Sequence, residues 1–282
     1  MSPRPLRLGL ALSGQAAVAE MTEQARRAEA IGFDVVLLPD HLGLTAPLPP
    51  LVAIAASAPS VQVSNLVLNA AFYRPALLAR DLASVDGATG GRLIVSLGAG
   101  YAEEEFAAAG LAFPGPGARL GLLTEHVTTI RALLSDPDYV PRPAQAPPPI
   151  MIAGGGDRLL KLAAHRADIV AIASRGTEAD LAERVGYVKA HAGQRLNEIE
   201  LAFSFFQVSL DGPTDFAMLR RFAPASTESD LRRLATLLDG PVSAAAERIH
   251  RFRDELGITY FTLNYSPGAS WESLGKLVAA VK

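Results

Sequence analysis

The chain contains no cysteine, and that single absence removes disulfides, thiolate metal sites and cysteine nucleophiles together. Lysine is scarce, four residues against 22 arginines. Lys161, Lys189, Lys276 and Lys282 all fall on predicted helices or at the terminus, so a Schiff-base mechanism has no nucleophile. Histidine is nearly as sparse. Of the five, only His41 follows a predicted strand, so a metal-assisted hydrolase lacks ligands and no metal is expected. No apolar run approaches the length of a membrane span. The net charge is −3 with acids and bases interspersed, which provides neither a nucleic-acid groove nor a membrane-attracting patch. The first apolar run is interrupted by Arg7 and closed by Ser13-Gly14-Gln15, too short for the core of a signal peptide, and reads as a first strand. These absences point to a soluble, cytoplasmic protein with a small-molecule substrate and neither nucleic-acid nor membrane partners.

What is present is a regular alternation. Apolar runs that suit buried strands occur at 6–12, 35–39, 61–71, 92–97, 150–153, 169–173, 199–210 and 259–263. Helical patterns fill the gaps at 16–31, 47–58, 75–87, 103–109, 120–134, 157–166, 178–191, 243–256 and 271–281, with Ser243 expected to cap the penultimate one. Strand–helix alternation demands a parallel sheet, and eight units favour closure. The fold class expected is α/β, one (β/α)8 TIM barrel spanning 1–282. Residues 211–239, between the seventh strand and its helix, are extra and carry helical pieces at 216–222 and 230–238. The proline-rich stretch 136–149 reads as a surface connection.

In such a barrel the carboxyl ends of the strands converge on one site. The second strand ends in Asp40 and His41, and histidine is the side chain that takes and gives protons near neutral pH. The plain alternative is a helix-capping Asp40 and a turn histidine. Asp40 is otherwise expected to hold the tautomer of His41. Other strand ends present Ser13; Asn69, Phe72 and Tyr73; Gly98, Ala99, Gly100 and Tyr101; Ser174 and Arg175; Gln207; and Asn264 and Tyr265. Tyr101 is either a proton donor or an aromatic wall, and Phe72 either stacks on a flat ligand or packs. Ala153-Gly154-Gly155-Gly156 opens a helix in the form of a phosphate site, to which Arg158 and Arg175 could add charge, though three glycines also serve a tight turn. A dinucleotide fingerprint is missing, because Gly98-Ala99-Gly100 lacks the third glycine. Glu103-Glu104-Glu105 begins a helix, where the dipole alone accounts for carboxylates.

Five stretches together resemble the luciferase-like monooxygenase superfamily, and within it the branch that uses the deazaflavin coenzyme F420. They are ARRAEAIGFDVVLLPDHL (25–42), YRPALLARDLASVDGATGGRL (73–93), SLGAGY (96–101), PPPIMIAGGG (147–156) and RFRDELGITYF (251–261). The resemblance implies a deazaflavin at the strand ends, with its phosphate near Gly154–Gly156 and His41 close to the reactive ring carbon. It also implies a bulge with a non-proline cis peptide within 66–69, so that Leu66, Val67 and Asn69 support the ring. A lid at 211–239 and a homodimer packed through early barrel helices complete the expectation. The substrate pocket would include Leu44, Thr45 and Phe72. The sugar-phosphate dehydrogenases of this branch have glutamate where Tyr101 stands and tryptophan where Thr45 stands. Their phosphate-binding lysines have no evident counterparts here, so sugar-phosphate oxidation is not expected. The expected activity is hydride transfer between F420 and a small organic substrate. The rivals are a monooxygenase using reduced FMN and oxygen, and a catalytically silent flavin-binding barrel.

Overall fold

A computed structural model describes residues 4–265 and 270–282. In chain order the strands and helices are β1 (Arg7–Ala11), α1 (Val18–Ala30), β2 (Val35–Leu38), α2 (Leu48–Ser57), β3 (Gln62–Asn65), β4 (Leu68–Asn69), α3 (Pro75–Ala88), β5 (Leu93–Gly98), α4 (Glu103–Ala108) and α5 (Pro116–Ser135). Then come β6 (Ile150–Gly154), α6 (Asp157–Arg166), β7 (Ile169–Ile172), α7 (Glu178–Ala192), β8 (Glu200–Phe205) and β9 (Gln207–Leu210). The chain continues through α8 (Ala217–Phe222), α9 (Glu228–Arg232), β10 (Leu237–Gly240), α10 (Val242–Arg251), β11 (Ile258–Asn264) and α11 (Trp271–Val281).

All barrel pairings are parallel, in the order β3-β2-β1-β11-β8-β7-β6-β5, and the β3–β5 pair closes the ring. The closed eight-stranded barrel is the one the alternation predicts. Every second strand residue faces inward. Ala11, Val35, Leu37, Ile94, Met151, Ile169, Ala171, Ala202 and Tyr260 form the resulting interior cluster. The lower, amino-terminal end is plugged by Arg7, which bonds Glu200 at 2.6 Å and Gln62 at 2.5 Å. The other strand faces pack against the helix ring in the larger core. Arg7, Gln62 and Glu200 line a cavity at this end, while the catalytic face of such barrels is the opposite, carboxyl rim.

Two expected strands are each broken in two. The 61–71 run divides into β3 and β4 around a cis peptide at Leu66–Val67, and the pairing with β5 shifts from Ser64↔Ile94 to Leu68↔Leu97. A buried network holds the seam: Ser64 and Ser96 hydroxyls lie 2.7 Å apart, and the Asn65 side chain bonds both the N–H and the carbonyl of Ser96. The 199–210 run divides at Phe206, after which β9 leaves the barrel to pair with β10. Residues 237–240 thus form a strand, overlapping at 237–238 the helical piece expected over 230–238, because cross-strand pairing satisfies their backbone. Helix α5 starts at Pro116, earlier than expected, with proline in its first turn. Pro241, not Ser243, precedes α10.

Candidate active site

Helix α4 is only six residues long and is held by its one buried side chain. Phe106 packs edge-on against Phe72 at 5.3 Å and Phe113 at 5.0 Å, and Phe72 remains half-buried at the edge of this cluster. Seating Phe106 in this cluster turns Glu105, its neighbour, toward the end of β2. Glu105 Oε1 lies 2.6 Å from Nδ1 of His41, and the side chains are 17% and 35% exposed. With the carboxylate ionised, Nδ1–H donates to it and Nε2 is left for other chemistry.

This pairing corrects two expectations. Asp40 does not hold His41: its Oδ2 accepts from the Asn69 N–H at 3.2 Å and the Tyr73 hydroxyl at 3.1 Å, bracing the end of β2 against the end of β4. Burial pushes the Asp40 carboxyl above the usual aspartate range, against the pull of these donors and of neighbouring His41. Nor does the dipole account for the whole Glu103–Glu105 run, since Glu105 is the partner of the imidazole. Its signal is a carboxylate in the first turn of the short helix after a strand-end motif, and nothing local distinguishes it from Glu103 and Glu104.

Tyr101 stands at the mouth, 55% exposed, its ring 6.0 Å from that of His41 and nearly perpendicular to it. Burial of its hydroxyl and the Glu105 carboxylate raise its pKa, while Arg175 pulls the other way. The hydroxyl therefore stays protonated and can donate. Leu44 is half-buried and Thr45 exposed; their loop is tied down by Leu44 N–H to His41 O at 3.1 Å and Thr45 N–H to Gly14 O at 2.9 Å.

The glycines after β5 are required by close approach. A Cβ on Gly98 would come within 2.6 Å of Val67, and one on Gly100, at φ +72°, within 2.5 Å of Asn69. Leu66 packs onto the interior cluster, Ala99 onto the outer core, and Arg119 fixes the turn through the Gly100 carbonyl at 3.2 Å. After β6, Gly154 is filled by Leu159, and a Cβ on Gly155 would meet the Ala173 carbonyl at 2.3 Å. Gly156 differs, with open space around it and no side chain capping α6. The first-turn N–H groups of α6 are thus free for an anion. Asp157 in that turn is ion-paired with Arg184, which offsets its charge. Ala153 is half-buried and Ala173 exposed, so only small side chains stand at this part of the rim. The Ser174 hydroxyl turns back to accept from Gly176 N–H at 3.3 Å, and Arg158 reaches Gly117 at the start of α5. The Arg175 guanidinium lies against Tyr101 and Phe222, in the mouth.

Among the described residues no group of three or more His, Asp or Glu is arranged to hold a metal, and no helix is long and apolar enough to cross a membrane.

A closed parallel barrel with an imidazole–carboxylate pair and glycine-lined loops on its carboxyl rim defines the (β/α)8 enzyme class, whose chemistry is built on that face. The chain belongs to the luciferase-like monooxygenase family, whose model matches residues 5–259. Relatives include the F420-dependent glucose-6-phosphate dehydrogenases of Nakamurella multipartita, 31% identical over 88% of this chain and 84% of that one, and of Amycolatopsis mediterranei, 28% identical over 85% and 78%. Among solved structures, an F420-dependent secondary alcohol dehydrogenase bound to an F420–acetone adduct superimposes with a TM-score of 0.81 at 21% identity, covering 99% of this chain and all of that one. A long-chain alkane monooxygenase superimposes with a TM-score of 0.80 at 14% identity, covering 98% and 91%. The fold alone is therefore shared by proteins of both kinds.

Proposed function

We propose that this protein is an F420-dependent oxidoreductase that moves a hydride between the deazaflavin and a small organic substrate. The observation that carries the reading is the His41–Glu105 pair at the end of β2. A deazaflavin supplies two electrons as hydride and leaves proton management to the protein. His41, with Nδ1 engaged by Glu105, presents Nε2 to the substrate oxygen and accepts or returns its proton there. Glu105 fixes the ring and offsets the charge that it acquires. Tyr101 offers a second hydrogen-bond donor to the same oxygen.

The residues fit the cofactor. Gly98 lies directly on Val67 and Gly100 on Asn69, so the loop after β5 is seated close against the cis-peptide segment proposed to support the ring, while Gly155, Gly156 and the start of α6 offer N–H groups to a phosphate. The relatives named as F420-dependent support the choice of F420 over FMN. Tyr101 and Thr45 depart from the sugar-phosphate enzymes of the branch, so a different small substrate is proposed. The insertion at 211–239 acts as a lid. A cytoplasmic location and a homodimer through early barrel helices belong to the same reading.

Titration of the purified protein with F420 and, separately, FMN is the test. Low-micromolar or tighter binding of F420, with FMN bound at least about tenfold more weakly, is expected, a gap of about 1.4 kcal/mol. The opposite order assigns the chain to the flavin monooxygenases, and binding without hydride exchange makes it a silent barrel.

A further inference from the structure

The mouth of the site contains a cation that has no anionic partner among the described residues. Arg175 follows β7 and is exposed, and among the described residues its guanidinium has no hydrogen-bond or ion-pair partner. Two aromatic rings fix its place: its Cζ lies 5.6 Å from the centroid of Tyr101 and 5.6 Å from that of Phe222. One ring belongs to the barrel rim and the other to α8 of the insertion. His41, Tyr101, Arg175 and Phe222 thus make a continuous chain of contacts across the mouth. Arg221, beside Phe222, adds positive charge felt at the Tyr101 hydroxyl.

A guanidinium packed against aromatic rings keeps its N–H edge available, and that edge matches the paired oxygens of a carboxylate or phosphate. Two carboxylates act on the neighbouring Tyr101 hydroxyl; Glu105 is committed to His41, and Glu104, on the exposed side of α4, makes no ion pair with Arg175. The segment that follows His41 is apolar, with Leu42 47% exposed and Leu44 half-buried and tied to the His41 carbonyl. We propose that Arg175, held between Tyr101 and Phe222, anchors an oxyanion group of the substrate, which is therefore an organic acid with an apolar body and a reacting alcohol or carbonyl carbon at His41.

This assignment rests on the oxidoreductase reading and narrows its substrate. In the oxidising direction the C–H bond gives its hydride to F420 and the O–H bond gives its proton to His41, leaving a carbonyl; reduction is the reverse. The contacts of 6.0 Å and 5.6 Å that join His41 to Arg175 through Tyr101 put both groups within reach of one small molecule. The same fork could instead meet the phosphate of the cofactor, so the test separates the two sources.

Isothermal titration with benzoate and its neutral counterpart benzamide, on protein with and without F420, reads the site directly. Wild type should prefer benzoate about tenfold, as a charge-assisted hydrogen bond allows. Arg175→Met should abolish that preference and leave F420 affinity within about twofold, with Arg175→Lys intermediate because it keeps charge but not the fork. Circular dichroism confirms that each variant is folded. Loss of F420 affinity in Arg175→Met would give the fork to the cofactor phosphate and overturn the proposal. Equal binding of the two probes by wild type, or an unchanged preference in Arg175→Met, would overturn it as well. Protein that fails to bind F420 yet prefers benzoate through Arg175 supports the anion site while removing the oxidoreductase reading.

Discussion

His41 Nδ1 and Glu105 Oε1 are 2.6 Å apart although 64 positions separate them in the chain. The contact joins the end of β2 to α4, and its geometry is set by a third group, the Phe72–Phe106–Phe113 cluster beneath the helix. The imidazole–carboxylate pair is thereby held in place by an aromatic cluster that lies outside the pair itself.

Replacement of His41 by alanine should lower turnover by about a hundredfold or more, the usual worth of a positioned acid–base group. F420 affinity should stay within about threefold, since the residues proposed to hold the cofactor lie on other strand ends. Glu105→Gln should lower kcat by about tenfold with little change in KM, as expected for a residue acting through the imidazole, and Glu105→Asp should recover part of the loss. Steady-state kinetics and cofactor titration check both. Unchanged turnover in His41→Ala removes it from the mechanism.

The seating of these glycines makes a sharper prediction. Gly98→Ala would drive its methyl to 2.6 Å from Val67, so F420 affinity should fall by about tenfold or more, of the order that overpacking costs. Val67→Ala clears that space, and the double variant should recover much of the affinity. Gly155→Ala meets the Ala173 carbonyl, which no side-chain change relieves, whereas Gly156→Ala meets nothing and should fold normally. Thermal melts beside the titrations distinguish loss of the fold from loss of the site.

Asp40 should be visible in the pH dependence of stability. Its folded pKa is raised, so the folded state holds this proton more tightly than the unfolded chain does. Its contribution is therefore most favourable below the ordinary aspartate value of 3.8 and is lost as pH rises from there through the raised value. Asp40→Asn removes that component, while its side-chain oxygen can still accept from Asn69 or Tyr73. Urea unfolding across the acid range should show the difference, wild type minus Asp40→Asn, falling with increasing pH. A flat difference would contradict the raised pKa.

Much of this was legible in the sequence, because the features concerned are local. Buried parallel strands require unbroken apolar runs, so β2 and most of the barrel can be read directly, and glycines between a strand and a helix announce a loop that a ligand or a neighbouring backbone approaches closely. His41 stands out because it is the only histidine placed after a strand. The breaks at Leu66–Val67 and Phe206 were less visible: an apolar run records burial but not the point at which its hydrogen-bonding partner changes.

The sequence by itself determined the barrel, its helix ring, the position of the imidazole and the glycine loops, since each follows from residue type and spacing along a few turns or strand pairs. Only the tertiary structure decided which carboxylate serves His41. Asp40 is next to it in sequence, but a strand-end side chain is aimed by the pleat and the turn that follows, and here that direction leads to Asn69 and Tyr73. Glu105 reaches the imidazole because an aromatic cluster drawn from three separate segments seats its helix, and Arg175 faces the mouth because one ring of the barrel and one of the insertion close around it. Contacts of that kind depend on how distant segments pack, which residue spacing does not record.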